Sequence, residues 1–217
     1  MLHIIKECKT PVMLILTPLL TGHKISSETR TTIKRNDVDY VWASWTGPKK
    51  HAANVQDGIS AFHKEFRYLP QFIQIIDRDI ILGRNMLDRL FSVLDKTGSD
   101  IAYSYCGFEY KGHINLKIPV CEFNIERLKQ RNYISSNSLY KTSAIYKVGG
   151  FVVDEDTHRL SDWAMFCKLA INGMKGVFVP NGNFVAMSSA TDISAGSDSE
   201  HYSARKLVIE RFVSKLP

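Results

Sequence analysis

The apolar positions of this chain follow two rhythms, short continuous runs and stripes at helical spacing, and the two alternate. Val12 to Thr17 is a continuous apolar run that stops at Pro18, the pattern of a buried strand. Ser26 or Ser27 can then cap a short polar helix over Glu28 to Lys34, because a Ser oxygen accepts from free backbone N–H groups at a helix start. Val38 to Ser44 predicts a second strand, followed by the turn signal Thr46-Gly47-Pro48. Residues 50 to 62 suit a helix with Ala52, Val55, Ile59 and Phe62 on one face. Phe72 to Ile76 is the next strand, and Asn85 to Leu94 the next helix, with Met86, Leu87, Leu90 and Phe91 inward. Ile101 to Tyr105 is a strand, and Glu126 to Gln130 a short helix. Leu139 to Val148 leads into a Gly149-Gly150-Phe151 turn, Ser161 to Ile171 is a helix, and Gly176 to Val179 is a strand that stops at Pro180. Strands alternating with helices predict an α/β fold, a mainly parallel central sheet flanked by helices. In such sheets ligands sit beyond the carboxyl ends of the strands.

Composition narrows this picture without choosing a function. With 217 residues, 44% hydrophobic and 23% charged, the chain has the make-up of one soluble domain with a substantial core. The longest N-terminal apolar run, Pro11 to Leu20, is interrupted by Pro18 and far short of the roughly 20 residues a membrane helix needs. It also lacks a small-residue cleavage site, so we expect neither a signal peptide nor a transmembrane segment. Cys8, Cys106, Cys121 and Cys167 show no CxxC spacing, which points to reduced thiols in a cytoplasmic protein rather than a zinc site or a disulfide framework. The net charge of +6 comes from dispersed groups such as Lys34-Arg35, Lys49-Lys50-His51 and Arg205-Lys206. It permits phosphate, nucleic-acid or acidic-lipid partners and selects none.

Chemistry enters where carboxylates interrupt apolar segments. In Phe72-Ile73-Gln74-Ile75-Ile76-Asp77-Arg78-Asp79-Ile80-Ile81-Leu82, two carboxylates stand at i and i+2 at the end of a core strand. Such residues point the same way in an extended chain. Two hard oxygen donors suit Mn²⁺ or Mg²⁺ shared with a substrate's phosphates, and a strand-end pair capping turn amides is the alternative. Arg78 either adds charge near a diphosphate or forms an outward salt bridge. Further along, Gly149-Gly150-Phe151 is followed by Asp154-Glu155-Asp156 and then Ser161-Asp162-Trp163. Asp162 stands in the first turn of a helix, where the dipole favours a carboxylate, and it serves either that structural purpose or as a general base toward an attacking hydroxyl.

Taken together, Asp77-Arg78-Asp79, Gly149-Gly150-Phe151, Asp162-Trp163 and Gly176-Val177-Phe178-Val179-Pro180 resemble the family 2 glycosyltransferases of the GT-A fold. The resemblance runs from about Val12 to Pro180 and includes Thr17-Pro18 at the first strand and Ala53-Asn54 ahead of Asp57-Gly58-Ile59. It implies a single GT-A-like domain over 1–217, with a nucleotide-binding half at about 10–105, an acceptor half at about 106–187 and a flexible tail at about 188–217. It also implies an inverting transfer from a nucleotide-sugar donor with a divalent metal. Asp77 would face the donor ribose, Asp79 with Asp77 the metal, and Asp162 would be the base. Thr17, Pro18, Asn54 and Arg78 would belong to the donor site. His201 matches the late histidine that completes the metal shell in some relatives, or is an exposed tail residue.

Three departures accompany the resemblance. The second strand ends in Trp42-Ala43-Ser44-Trp45, without the family's base-reading Asp. The Asn54 to Gly58 spacing is longer than the family pattern, and Ser161-Asp162 has one carboxylate where relatives carry two. Acceptors in keeping with the family are a glycan or lipid-linked glycan; the basic charge adds a hydroxymethylated base in DNA, of the kind phages glycosylate. Other readings are a non-catalytic nucleotide-sugar binding module and a nucleic-acid binding module, the latter supported by charge alone.

Overall fold

The computed structural model describes residues 12–19, 31–34, 39–46, 51–66, 69–77, 80–83, 85–110, 113–115, 120–187 and 198–217. Among these, nine strands join one sheet. They are β1 (Val12–Leu19), β2 (Thr31–Lys34), β3 (Asp39–Thr46), β4 (Phe72–Ile75), β5 (Ile80–Leu82), β6 (Ile101–Tyr110), β7 (His113–Asn115), β8 (Leu139–Lys141) and β9 (Gly176–Met187). The order across the sheet is β2-β3-β1-β4-β8-β6-β9-β5, with β7 paired to β6. Six α-helices among the described residues accompany it: α1 (His51–Phe66), α2 (Met86–Thr97), α3 (Ile125–Gln130), α4 (Thr142–Lys147), α5 (Ser161–Ile171) and α6 (Asp198–Arg211).

The sheet is mixed rather than mainly parallel. β1 runs parallel to β3 and β4, and β6 parallel to β9. By contrast β2–β3, β4–β8, β6–β8, β5–β9 and β6–β7 are antiparallel. Apolar periodicity reports which residues are buried and is blind to strand direction, so the short β8, wedged between β4 and β6, was not readable as an antiparallel insert. A second correction falls at residues 31–34, expected to end a polar helix. Thr31-Thr32-Ile33 are β-branched, and the segment pairs with β3 as β2. The expected cap at Ser26 or Ser27 and the Gly47-Pro48 turn lie outside the described residues.

Alternate residues of the central strands feed two cores. Ile73 and Ile75 of β4, Ile101 and Tyr103 of β6, and Tyr140 of β8 pack with α1, α3, α4 and α5. Phe72, Ala102, Cys106 and Leu139 pack on the other face with Met86, Leu90 and Leu94 of α2. Burial on both faces explains why β4 is apolar at every position but Gln74, which is itself buried. The stripe of Ala52, Val55, Ile59 and Phe62 on α1 is buried as its spacing requires. Seven of the eleven residues of α5 are buried, and the Trp163 indole N–H donates to Leu128 O at 2.8 Å.

β9 does not stop at Pro180. Its pairing with β6 passes from Tyr103↔Phe178 to Tyr105↔Asn183, so Val179 to Gly182 bulge out of the ladder opposite Ser104. A proline has no N–H to give a ladder, and the bulge removes that requirement. Ser104 Oγ donates to Val179 O at 2.5 Å and ties the bulge to β6. Residues 198–217, expected to belong to a flexible tail, form α6 and a final turn at Val213–Lys215, with Ala204, Val208 and Leu216 buried. Among the described residues no helix is long and apolar enough to cross a membrane.

Candidate active site

The parallel strands β3, β1 and β4 bring their carboxyl ends to one edge of the sheet. Leu16 is opposite Ile75, and Thr17 and Pro18 are opposite Ser44 and Trp45, so the Thr17-Pro18 backbone shares that edge with Asp77. Asp77 lies two residues past the end of β4, and its carbonyl accepts from Ile80 N at 3.0 Å. Arg78 and Asp79, the rest of the acidic triplet, lie outside the described residues.

Two neighbours hold the Asp77 carboxylate. His51, the first residue of α1, places Nε2 2.7 Å from Asp77 Oδ1. Asn137 donates through Nδ2 to Asp77 Oδ2 at 3.2 Å and accepts from Asp77 N at 2.9 Å. The turn before β8 fixes Asn137: its backbone N–H donates to Ser135 Oγ at 3.2 Å, and Ser138 Oγ donates to Ser135 O at 2.6 Å. Burial pushes the Asp77 pKa up, but the His51 charge and the hydrogen bonds from His51, Asn137 and Ser136 outweigh it, and the net shift is downward. Asp77 is therefore ionised in the folded chain at neutral pH.

Asp162 faces the same cleft from the other half of the chain. Its Oδ1 accepts from Trp163 N at 2.8 Å and its Oδ2 from Asn132 Nδ2 at 2.7 Å. Here burial dominates and the pKa is raised; the Trp163 N–H bond and the His51 charge oppose the shift, and the Asp77 charge adds to it. A cleft of about 280 Å³ is lined by His51, Asp77, Asn137, Phe151, Arg159 and Asp162, with apolar walls from residues such as Ile75, Tyr140 and Met165. Two carboxylates whose environments push their proton affinities apart in one cleft can divide their labour, one as a permanent anion and one as a proton acceptor.

The glycine pair shapes the wall. Gly149 and Gly150 have φ of 76° and 86°, the left-handed region that glycine enters without cost. Gly150 O accepts from Lys168 Nζ at 3.0 Å, and Phe151 N donates to Gln56 Oε1 at 3.0 Å, so the turn ties α5 to α1 and sets the Phe151 ring into the cleft. A Cβ on Gly150 would collide with that Gln56 oxygen, whereas one on Gly149 meets nothing within 4 Å. Gly150→Ala is expected to cost about 1–3 kcal/mol through strain and the lost Gln56 contact, more than Gly149→Ala. Urea denaturation of both variants checks this; equal midpoints would contradict the contact.

The sequence-derived site is thus partly assembled. Asp77 and Asp162, 85 residues apart in the chain, meet in the cleft. Asn54 is fully buried on α1 and does not line the cleft. His201 is exposed on α6 and is not among the lining residues either. Among the described residues no group of three His, Cys, Asp or Glu side chains is arranged to hold a metal. Sequence reading missed His51, Asn137 and Arg159. The signals available for them were a histidine opening an amphipathic helix, the polar run Ser135-Ser136-Asn137-Ser138 before a strand, and an arginine three residues ahead of Asp162.

The fold is shared with solved structures of S. aureus TarS. The 1–349 segment in complex with UDP-GlcNAc superposes with a TM-score of 0.63 at 12% identity over 92% of this chain. The same segment with UDP gives 0.60 at 12% identity, and the longer TarS structure gives 0.56 at 11%. The present chain spans 65% of the first of these and 39% of the longer one. No family model and no curated protein sequence matches the chain.

Proposed function

We propose that this chain is an inverting glycosyltransferase of the GT-A type, with the character of family 2, that moves a sugar from a nucleotide-sugar donor to an acceptor hydroxyl. The observation that carries the reading is the meeting of Asp77 and Asp162 in one cleft at the carboxyl edge of the sheet, with proton affinities shifted in opposite directions. Sharing a fold with a protein solved with UDP-GlcNAc supports it. The donor lies against the edge formed by Thr17, Pro18 and Asp77, with its anomeric carbon toward Asp162. The acceptor oxygen attacks that carbon from the side opposite the diphosphate. Its proton passes to the Asp162 carboxylate, a new C–O bond forms, and the bond to the phosphate oxygen breaks, releasing the nucleoside diphosphate. The carboxylate keeps lone pairs for that proton beyond those used by Trp163 and Asn132.

A divalent ion, Mn²⁺ or Mg²⁺, fits the donor chemistry at the end of β4. Asp77 is held ionised there, and Asp79 supplies a second hard oxygen donor two residues on. When bound, such an ion supplies positive charge to the leaving diphosphate.

Incubation with a panel of nucleotide sugars against glycan, lipid-linked glycan and hydroxymethylated-DNA acceptors, read by mass spectrometry, tests the reading. We expect one donor to release its nucleoside diphosphate while one acceptor class gains the mass of the sugar. Donor binding with no turnover on any acceptor would replace this reading with that of a binding module. A DNA acceptor further requires affinity that falls steeply with salt, since phosphate contacts displace counterions.

A further inference from the structure

Arg159 belongs to the His158–Leu160 turn that opens directly into α5, three residues before Asp162. The turn is closed by Leu160 N donating to Thr157 O at 2.9 Å, so one short, fixed segment presents both a guanidinium and the Asp162 carboxylate to the cleft. The Arg159 side chain is 6% exposed, and its Nη1 lies 2.7 Å from Oε2 of Glu200, whose side chain is 65% exposed on the first turn of α6. The two ends of this ion pair are unequal. The carboxylate is largely in water and loses little by letting go, whereas the guanidinium is inside and needs an anion wherever it stands. The helix does not depend on the pair, because Ala204 and Val208 are buried and Arg211 bonds to Asp154 and Asp156.

We infer that Arg159 binds the diphosphate of the donor and that Glu200 on α6 occupies the guanidinium until the donor arrives. This inference rests on the nucleotide-sugar reading above. A planar guanidinium engages phosphate oxygens through two parallel N–H bonds, a geometry an ammonium cannot reproduce. A diphosphate entering a cleft that already holds Asp77 and Asp162 needs such a charge, and Arg159 stands on the same wall as Asp162. α6 then does more than fill the core: it keeps the buried cation neutralised between turnovers and sets how tightly the donor is held.

Calorimetric titration of the full chain with UDP, GDP, ADP and CDP, and with the matching nucleosides, tests this. Arg159→Gln is expected to weaken the best-bound nucleoside diphosphate at least tenfold while leaving its nucleoside unchanged, and Arg159→Lys to fall between. Glu200→Gln removes the competitor and is expected to tighten the same diphosphate severalfold. If wild type binds one of the four and Arg159→Gln binds it equally well, or loses diphosphate and nucleoside alike, the assignment of Arg159 is overturned while the donor reading stands. If wild type binds none, both are overturned. Should Arg159→Gln fail to fold, an unchanged diphosphate affinity in Glu200→Gln overturns the competition on its own.

Discussion

Asp162→Asn is expected to lower sugar transfer by about 10²–10⁴-fold, the usual contribution of a general base, while donor affinity and fold survive. The stability effect is small because two terms oppose each other. The amide keeps one acceptor oxygen for the Trp163 N–H but no longer satisfies both it and Asn132, a loss of about 1 kcal/mol. Against this, the variant removes a carboxylate whose ionisation burial disfavours. The pH dependence follows from that raised pKa. The folded chain binds the Asp162 proton more tightly than the unfolded chain, so ionised Asp162 costs stability, and the cost grows as pH rises from the ordinary carboxylate value of 3.8 through the higher folded value. The melting temperature of Asp162→Asn relative to wild type should therefore climb across that window. Wild-type transfer should fall on acidification at a pH above the ordinary Asp range, since the base must be ionised. A variant with wild-type transfer would remove Asp162 from the mechanism and turn attention to Asp154, Glu155 and Asp156.

Chelation is expected to produce the other large effect. EDTA should abolish transfer and Mn²⁺ should restore it, with Asp79→Asn losing the metal-dependent part of donor binding. Asp77 is ionised at the end of β4, Asp162 must be ionised to act, and the leaving diphosphate adds further negative charge to the same cleft. His51, paired to Asp77, and Arg159, once Glu200 releases it to the diphosphate, offset only part of this. We expect a divalent ion at Asp77 and Asp79 to make up the difference. Full activity in metal-free buffer would contradict it.

Much of this molecule could be read from its sequence where burial alone decides. The apolar run of β4, the stripe on α1 and the dense apolar helix α5 are direct images of the core. The same logic singled out Asp77 and Asp162, which line one cleft, because both are charges at the edge of segments otherwise suited to the interior. What could not be read depends on direction or on distant partners. The antiparallel setting of β8 leaves no trace in periodicity, and Pro180 looked like a strand end because the bulge that accommodates it exists only in pairing with β6. α6 lacked a clear sequence signal since its apolar residues do not form one buried stripe: Ala204 and Val208 are buried, while Tyr202 and Ile209 are exposed. His51, Asn137 and Arg159 come from a helix start and two turns, and only the tertiary fold brings them to the acids. Asn54, matched to the family segment at a longer spacing than usual, is a polar residue buried on α1.

The central claim is that the cleft between the end of β4 and the start of α5 is the donor site. A crystal structure of the chain with the nucleoside diphosphate it binds best measures this directly. The diphosphate should lie in the cleft between Asp77 and Arg159, with room beside Asp162 for the sugar and the acceptor hydroxyl. Density for the nucleotide anywhere else, with the cleft filled only by solvent, would contradict the account.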